Sequence, residues 1–171
     1  GEPNLTFNPG MIVGGSDVRL ENEGTRATAS GKDNVIADTA VVTGDLRALS
    51  AEQLRSVRER MEAIVARSHP HATAEITFAE GYPGMPPTPG NQALLDLLNG
   101  VNRGLGLPPQ LAFDPGRRGA ADVSFVAPYV DALAGLGAHG TGSHSDRESV
   151  DLATLPTQIK RAALLIYRLT R

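Results

Sequence analysis

Hydrophobic positions fall into two periods along this chain, a period of two in short stretches and a period near 3.6 in three longer ones. Residues 4–7 alternate apolar and polar, which predicts a short strand. Pro9-Gly10 predicts a turn, and Met11, Ile12 and Val13 a second extended run before Gly14-Gly15. Residues 16–33 are polar without a clear period and read as a surface excursion. Residues 34–47 are rich in Val, Ile and Thr and predict the main strand. Its inner half puts Val42, Gly44 and Leu46 on one face and Thr43, Asp45 and Arg47 on the other. Ser50 then opens a helix, with Gln53 at the capping-box spacing. Leu54, Val57, Met61, Ile64 and Val65 form its apolar stripe, while Arg55 with Glu59 and Arg58 with Glu62 pair on the wet side. The helix stops by His69-Pro70, and Ala74, Ile76 and Phe78 alternate with Thr73, Glu75 and Thr77 as a half-buried strand.

Pro83, Pro86, Pro87 and Pro89 crowd residues 81–90, which marks the boundary between two pieces, residues 1–86 and 87–171. Beyond it Leu94, Leu97, Leu98 and Val101 predict a second amphipathic helix, closed by Gly104 and Gly106. Residues 116–121 form a small-residue loop holding Arg117 and Arg118. Residues 122–130 are apolar and broken by Pro128, and the glycines of residues 133–142 predict a tight strand-and-loop region. Thr154 is placed to cap a last helix, with Pro156 in its first turn and Leu155, Ile159, Ala162, Ala163, Ile166 and Leu169 as its buried stripe.

Composition narrows the function classes. The chain has 171 residues, 40% hydrophobic but only 4% aromatic, so its core must be aliphatic. A net charge of −3 from 16 basic and 19 acidic residues argues against nucleic acid as a partner. No apolar run approaches the roughly 20 residues of a membrane helix, and no membrane partner is expected. With no cysteine, thiolate nucleophiles, disulfides and Cys-ligated zinc are excluded. The first residue is glycine, which leads to the expectation of a piece of a longer protein.

Four histidines, at 69, 71, 139 and 144, are the first candidates for chemistry. His69 and His71 flank a proline at a helix end and read as solvated turn residues. His144 sits among small residues, with Asp146, Glu148 and Asp151 downstream that could orient an imidazole or bind a cation. The plainer reading is a loop histidine, because three or four zinc ligands do not assemble from these residues alone. Arg47, beside Leu46, can present a planar fork to a carboxylate, or pair with Asp45 on its own strand. Asn34 is either a ligand-facing residue or the turn that enters the strand. No nucleophile elbow, phosphate loop or dinucleotide fingerprint is present.

Three motifs in order carry a resemblance. Asn34-Val-Ile-Ala followed by Thr43-Gly-Asp-Leu-Arg47 resembles the lid signature of the M20 zinc exopeptidases, with Ala37 where that family has proline. Gly119-Ala-Ala-Asp122 resembles the family's glycine-rich loop, with Arg117 and Arg118 where glycines are common. Gly142-Ser-His144-Ser-Asp-Arg-Glu148 resembles its last motif, with a helix following. The branch most resembled is the glutamate carboxypeptidase-like metallohydrolases. The resemblance implies an α/β fold: a ferredoxin-like lid (dimerisation) domain at residues 1–86, lacking its first strand and helix, then the C-terminal α/β part of a catalytic domain at residues 87–171. It implies two zinc ions per complete site with His144 as the one ligand in this chain, and substrate contacts from Asn34, Arg47 and Gly119. The general base and other ligands would lie in a missing N-terminal portion, so this chain alone would not hydrolyse anything. The implied partners are that portion, a second copy through the lid, and a small peptide or N-acyl amino acid as substrate. The rival expectation is a non-catalytic dimerisation or binding module.

Overall fold

The computed structural model describes residues 1–117, 119 and 121–171. It divides into two compact units, Gly1–Phe78 and Ala79–Arg171. The first holds small antiparallel sheets and one helix, as befits a ferredoxin-like dimerisation domain piece, and an α/β segment follows.

In the first unit, strand β1 (Thr6–Gly15) is continuous, and Pro9-Gly10 makes a bulge inside it rather than a turn. It pairs antiparallel with β4 (Thr39–Arg47), from Thr6 opposite Arg47 to Gly15 opposite Thr39, with the register shifting between Pro9 and Met11. The bulge needs Gly44 across from it, because a Cβ there would stand 2.5 Å from the Asn8 carbonyl oxygen. Strands β2 (Asp17–Glu21) and β3 (Arg26–Ser30) form a hairpin where a polar excursion was expected. Its apolar cross-strand pairs, Val18 with Ala29 and Leu20 with Ala27, are too small to raise the period above its charged neighbours. Asn22, Glu23 and Gly24 turn it with positive φ. The Gly24 tip reaches the Thr43 side chain on one face of β4.

That hairpin changes which face of β4 is covered. Val41 and Thr43 are half-buried on the hairpin side, whereas Val42 is exposed on the other, with Ile12 exposed opposite it. Leu46 is half-buried as expected. The strand begins at Thr39, not at Asn34. Val35 donates to the Lys32 carbonyl in a turn, and Ile36 is almost fully exposed.

Helix α1 (Ala51–Val65) is capped as the sequence predicts, with the Ser50 hydroxyl accepting from the Gln53 N–H at 3.1 Å. The Gln53 side chain reaches back to the Leu49 N–H, one residue earlier than a standard box, and donates to the Pro3 carbonyl and the Glu2 carboxylate. Glu2 also accepts from Arg60 at 2.7 Å. The Arg60 and Gln53 hydrogen bonds hold the Glu2 carboxyl below its ordinary value of 4.5. Val57 is buried and Leu54, Met61 and Val65 half-buried, but Ile64 is exposed, against the expected stripe. Residues 73–78 join no ladder, so the strand expected there is not formed. Ile76 and Phe78 keep the predicted alternation as half-buried positions, and the Arg58 guanidinium lies 5.2 Å from the Phe78 ring centre. A ladder needs a partner edge, and β4 and residues 73–78 are not paired with each other.

In the second unit, α2 (Pro89–Gly104) starts inside the proline-rich stretch, with Pro89 in the first turn and the Thr88 hydroxyl accepting from the Asn91 N–H. Leu98 and Val101 are its buried seam, as predicted. Helix α3 (Leu155–Leu169) packs Leu165 against that seam, with Leu95, Leu97, Leu105, Leu133 and Leu136 around it. The inward face of α3 differs from the expected one. Gln158, Arg161 and Leu165 are buried, while Ile159, Ile166 and Leu169 are 65%, 62% and 53% exposed. Thr154 does not cap α3. Its hydroxyl donates to the Asp151 carbonyl, and the Asp151 carboxylate caps the preceding short turn at Ala153. A two-residue hairpin, β5 (Gly140–Thr141) with β6 (Ser149–Val150), precedes it.

Two measurements follow from these contacts. Leu98→Ala removes about 2–5 kcal/mol of stability from the full chain in chemical denaturation. Ile159→Ala changes it by less than about 0.5 kcal/mol, and equal losses would mean that α3 buries its apolar stripe. The Glu2 pKa is depressed on folding, so its stabilisation is present above the unfolded value and lost as pH falls through the folded one. Glu2→Gln therefore flattens the fall of the thermal midpoint below pH 4.5, and parallel curves for the two proteins would refute the Glu2 tie.

Candidate functional site

The candidate residues lie on three separate local structures. Asn34 sits in the exposed turn before β4, and Arg47 at that strand's far end. At about 3.3 Å per residue the nine-residue strand between them spans roughly 26 Å. Within this unit the two side chains therefore do not converge on one small ligand. Arg47 Nε donates to the Asp45 carboxylate at 2.6 Å, which is the plainer of the two readings its sequence allowed. Both side chains are more than half exposed, and such a pair contributes little to stability.

Gly119 is exposed, and a Cβ added there would meet nothing within 4 Å. Its neighbours Arg118 and Ala120 lie outside the described residues, so two positions of the expected glycine-rich loop are not described. Arg117 stacks over the Phe113 ring with its guanidinium carbon 5.4 Å from the ring centre. Asp122 accepts a hydrogen bond from the Tyr82 hydroxyl at 2.9 Å, and the Tyr82 ring packs against Phe125. That bond holds the Tyr82 hydroxyl above its ordinary value of 10.0. The pairing was not legible in the sequence, because it joins positions 40 residues apart that share no periodic signal.

His144 occupies the loop between β5 and β6, exposed and with φ of 64°. Only a left-handed turn closes this loop. Gly142 has φ of 72°, and a Cβ there would stand 2.7 Å from the Arg147 carbonyl oxygen. The Ser145 hydroxyl donates to the Gly142 carbonyl, and Ser145 in turn accepts from the Arg147 N–H. The small residues around His144 thus serve the turn itself, and His144 is exposed on it. Asp151, one of the three acidic candidates, is engaged in capping at Ala153.

Among the described residues, no group of three or more His, Asp or Glu could hold a metal ion. His69 contacts its own neighbour's carbonyl, at Pro70, and His71 stands in a left-handed turn of the first unit. The residues of this chain do not by themselves fit zinc, which takes three or four protein ligands.

Residues 1–73 match the family model of the peptidase dimerisation domain of the M20 peptidases. The match covers less than half of the chain and likens its first unit to a peptidase dimerisation domain. No curated protein and no solved structure matched the chain.

A metal titration checks the geometry directly. Zinc offered to the full chain in competition with a chelating dye stays with the dye, and His144→Ala behaves identically. Stoichiometric transfer of zinc to the chain would show that its residues gather a site.

Proposed function

We propose that this chain is the dimerisation domain and the returning C-terminal catalytic segment of a dizinc exopeptidase or amidohydrolase of the M20 type. The division proposed is residues 1–86 for the first and 87–171 for the second. The parent enzyme would be glutamate carboxypeptidase-like and would cleave an amide bond beside a free carboxylate, in a small peptide or an N-acyl amino acid. The observation that carries this reading is the match of residues 1–73 to the peptidase dimerisation domain. The uncovered stripe of α3 supports it further, since an apolar helix face this exposed suits a segment that packs on more protein than this chain holds.

Each residue has a role in that reading. Arg47, steadied by Asp45, binds the substrate carboxylate with its free guanidinium edge. Asn34 offers an amide to the same substrate or to the oxygen that gains charge during the reaction. Asn34 lies in the turn before β4 and Arg47 at the strand's far end, so they serve one ligand only if they come from different protomers or engage opposite ends of a long one. Gly119 leaves room for the substrate backbone. His144 supplies a single metal ligand. The remaining ligands and the base come from the missing N-terminal portion of the parent, and no catalytic step is assigned to this chain alone.

A second reading has its own support. The described residues hold no group able to bind a metal, which suits a non-catalytic dimerisation or binding module.

The two readings part on one variant. In the complete enzyme, His144→Ala lowers bound zinc and turnover together, by about two orders of magnitude in turnover if a ligand is lost. Unchanged zinc content with unchanged turnover would remove His144 from the site and leave the module reading.

A further inference from the structure

The contact between α2 and α3 gathers cations without counter-charges. Arg168 of α3 lies across two glycines of α2. Its Nη1 is 3.1 Å from where a Cβ on Gly100 would stand, and its Nη2 is 3.6 Å from the same position on Gly104. Arg103, one turn beyond Gly100, folds back to the same place, with its Nη2 3.7 Å from the Gly100 position. Two guanidiniums therefore converge on one point, their nitrogens no farther apart than the sum of their distances to it. A single phosphate-sized oxyanion, accepting at about 2.8 Å from each, spans such a gap.

Like charges this close repel, and little around them answers the repulsion. Among the described residues neither guanidinium has an ion-pair or hydrogen-bond partner, while the pairs of Arg19, Arg26, Arg47 and Arg60 lie in the first unit. The carboxylates at α2 are taken, Asp96 accepting from Gln92 and Asp131 from Thr88. The C-terminal end of α2 offers about half a negative charge, which draws basic residues there but leaves most of two positive charges unanswered.

Arg161 adds a third cation. At spacings of four and three, Arg161, Leu165 and Arg168 share the side of α3 that meets α2. Arg161 is only 6% exposed, its Nη1 donates to the neutral Gln158 side chain, and its Nε has no partner among the described residues. A buried cation without a counter-ion is costly, and an anion held nearby relieves it. Arg103 and Arg168 are exposed, so the place where their guanidiniums meet is open to a ligand. Glycine at 100 leaves that place empty, since any side chain there would fill the space between the two guanidiniums.

We propose that Arg103 and Arg168, over the bare backbone of Gly100, bind a doubly charged oxyanion of phosphate size, either free phosphate or the phosphoryl end of a small ester. A carboxylate answers one of the two charges, whereas a phosphoryl group carries nearly two. Bound there, the ligand ties α2 to α3 and stabilises their packing. The site rests on no residue to which the proposed function gives a role.

A titration of the arginine Nε–Hε resonances in the full chain tests the site, with inorganic phosphate and phenyl phosphate as separate probes against sodium chloride of equal ionic strength. The Arg103 and Arg168 signals move together and saturate at phosphate on the order of 1 mM, the Arg19 signal stays, and the thermal midpoint rises with phosphate but not with chloride. Arg103→Gln and Arg168→Gln each weaken binding at least about tenfold, and Arg19→Gln does not. The midpoint of each variant in chloride shows that it still folds. Gly100→Ala separates binding from packing: it keeps or raises the midpoint in chloride through helix propensity, yet weakens phosphate. Response to both probes assigns the site to phosphoryl groups generally, and response to phosphate alone assigns it to the free ion. Chloride acting as well as phosphate overturns the site, as does equal weakening by Arg19→Gln or the absence of saturable movement up to tens of millimolar, roughly. Loss of the response in the complete parent protein overturns it too, because the counter-charge is then a side chain of the parent.

Discussion

Two strands hold too few hydrogen bonds and too little buried surface to persist in water, so the first unit depends on what is laid against β1 and β4. Their pairing is tightened by glycine. Gly44 lets the Asn8 carbonyl approach at the bulge, and Gly15 brings the Ser30 carbonyl to where its own Cβ would stand, at 2.6 Å. The second contact fastens the β2–β3 hairpin to the end of β1, where Ser16 also donates to Ser30. The hairpin then covers Val41 and Thr43, and one face of the sheet is closed. Glu2, Gln53 and Arg60 tie the start of the chain to α1. The other sheet face, with Ile12 and Val42, and the free edge of β4 have no such cover.

The second unit solves a different problem, with two helices and glycine at their contact. Gly100 and Gly104 on α2 leave room for the Arg168 side chain of α3, whose guanidinium would crowd a Cβ at Gly100. Asp131 reaches the start of α2, bonded to the Thr88 hydroxyl and packed where a side chain on Gly90 would lie. A carboxylate there also faces the positive end of the helix dipole. The buried polar groups of this unit are partly matched: Arg161 donates to Gln158, while among the described residues its Nε, the Asn102 side-chain oxygen and the Ser124 hydroxyl have no partner. Burying them unpaired costs stability.

The sequence was legible where one signal decided the outcome. Ser50 and Gln53 marked the start of α1, and Leu94, Leu97, Leu98 and Val101 named the seam of α2, because capping and helical period are local. It was not legible where the outcome depended on a distant partner. Residues 17–30 form a hairpin on small alanines whose period is drowned by charges. Residues 73–78 have the pattern of a strand without the neighbour that would make them one. For α3 the period predicted a helix correctly and its inward face wrongly, since hydrophobicity alone cannot say which side of a helix meets α2. Of the site, Arg47 was readable down to its pairing with Asp45. The turn geometry that exposes His144 was readable only as a run of small residues.

The uncovered surfaces of the two units are of different kinds, and the difference bears on what each one meets. On α3 the exposed residues are large and aliphatic along a helix. Burial of such a face is non-directional and scales with area, so any well-shaped apolar surface satisfies it. On β4 the exposed feature is backbone, and its demand is directional: a donor must meet an acceptor at about 2.9 Å, repeated at the spacing of a strand. Edges of this kind are ordinarily blunted by charge, proline or a covering element. Among the described residues no second strand lies along this edge, so what meets β4 must bring a backbone ladder, where what meets α3 need bring only apolar area.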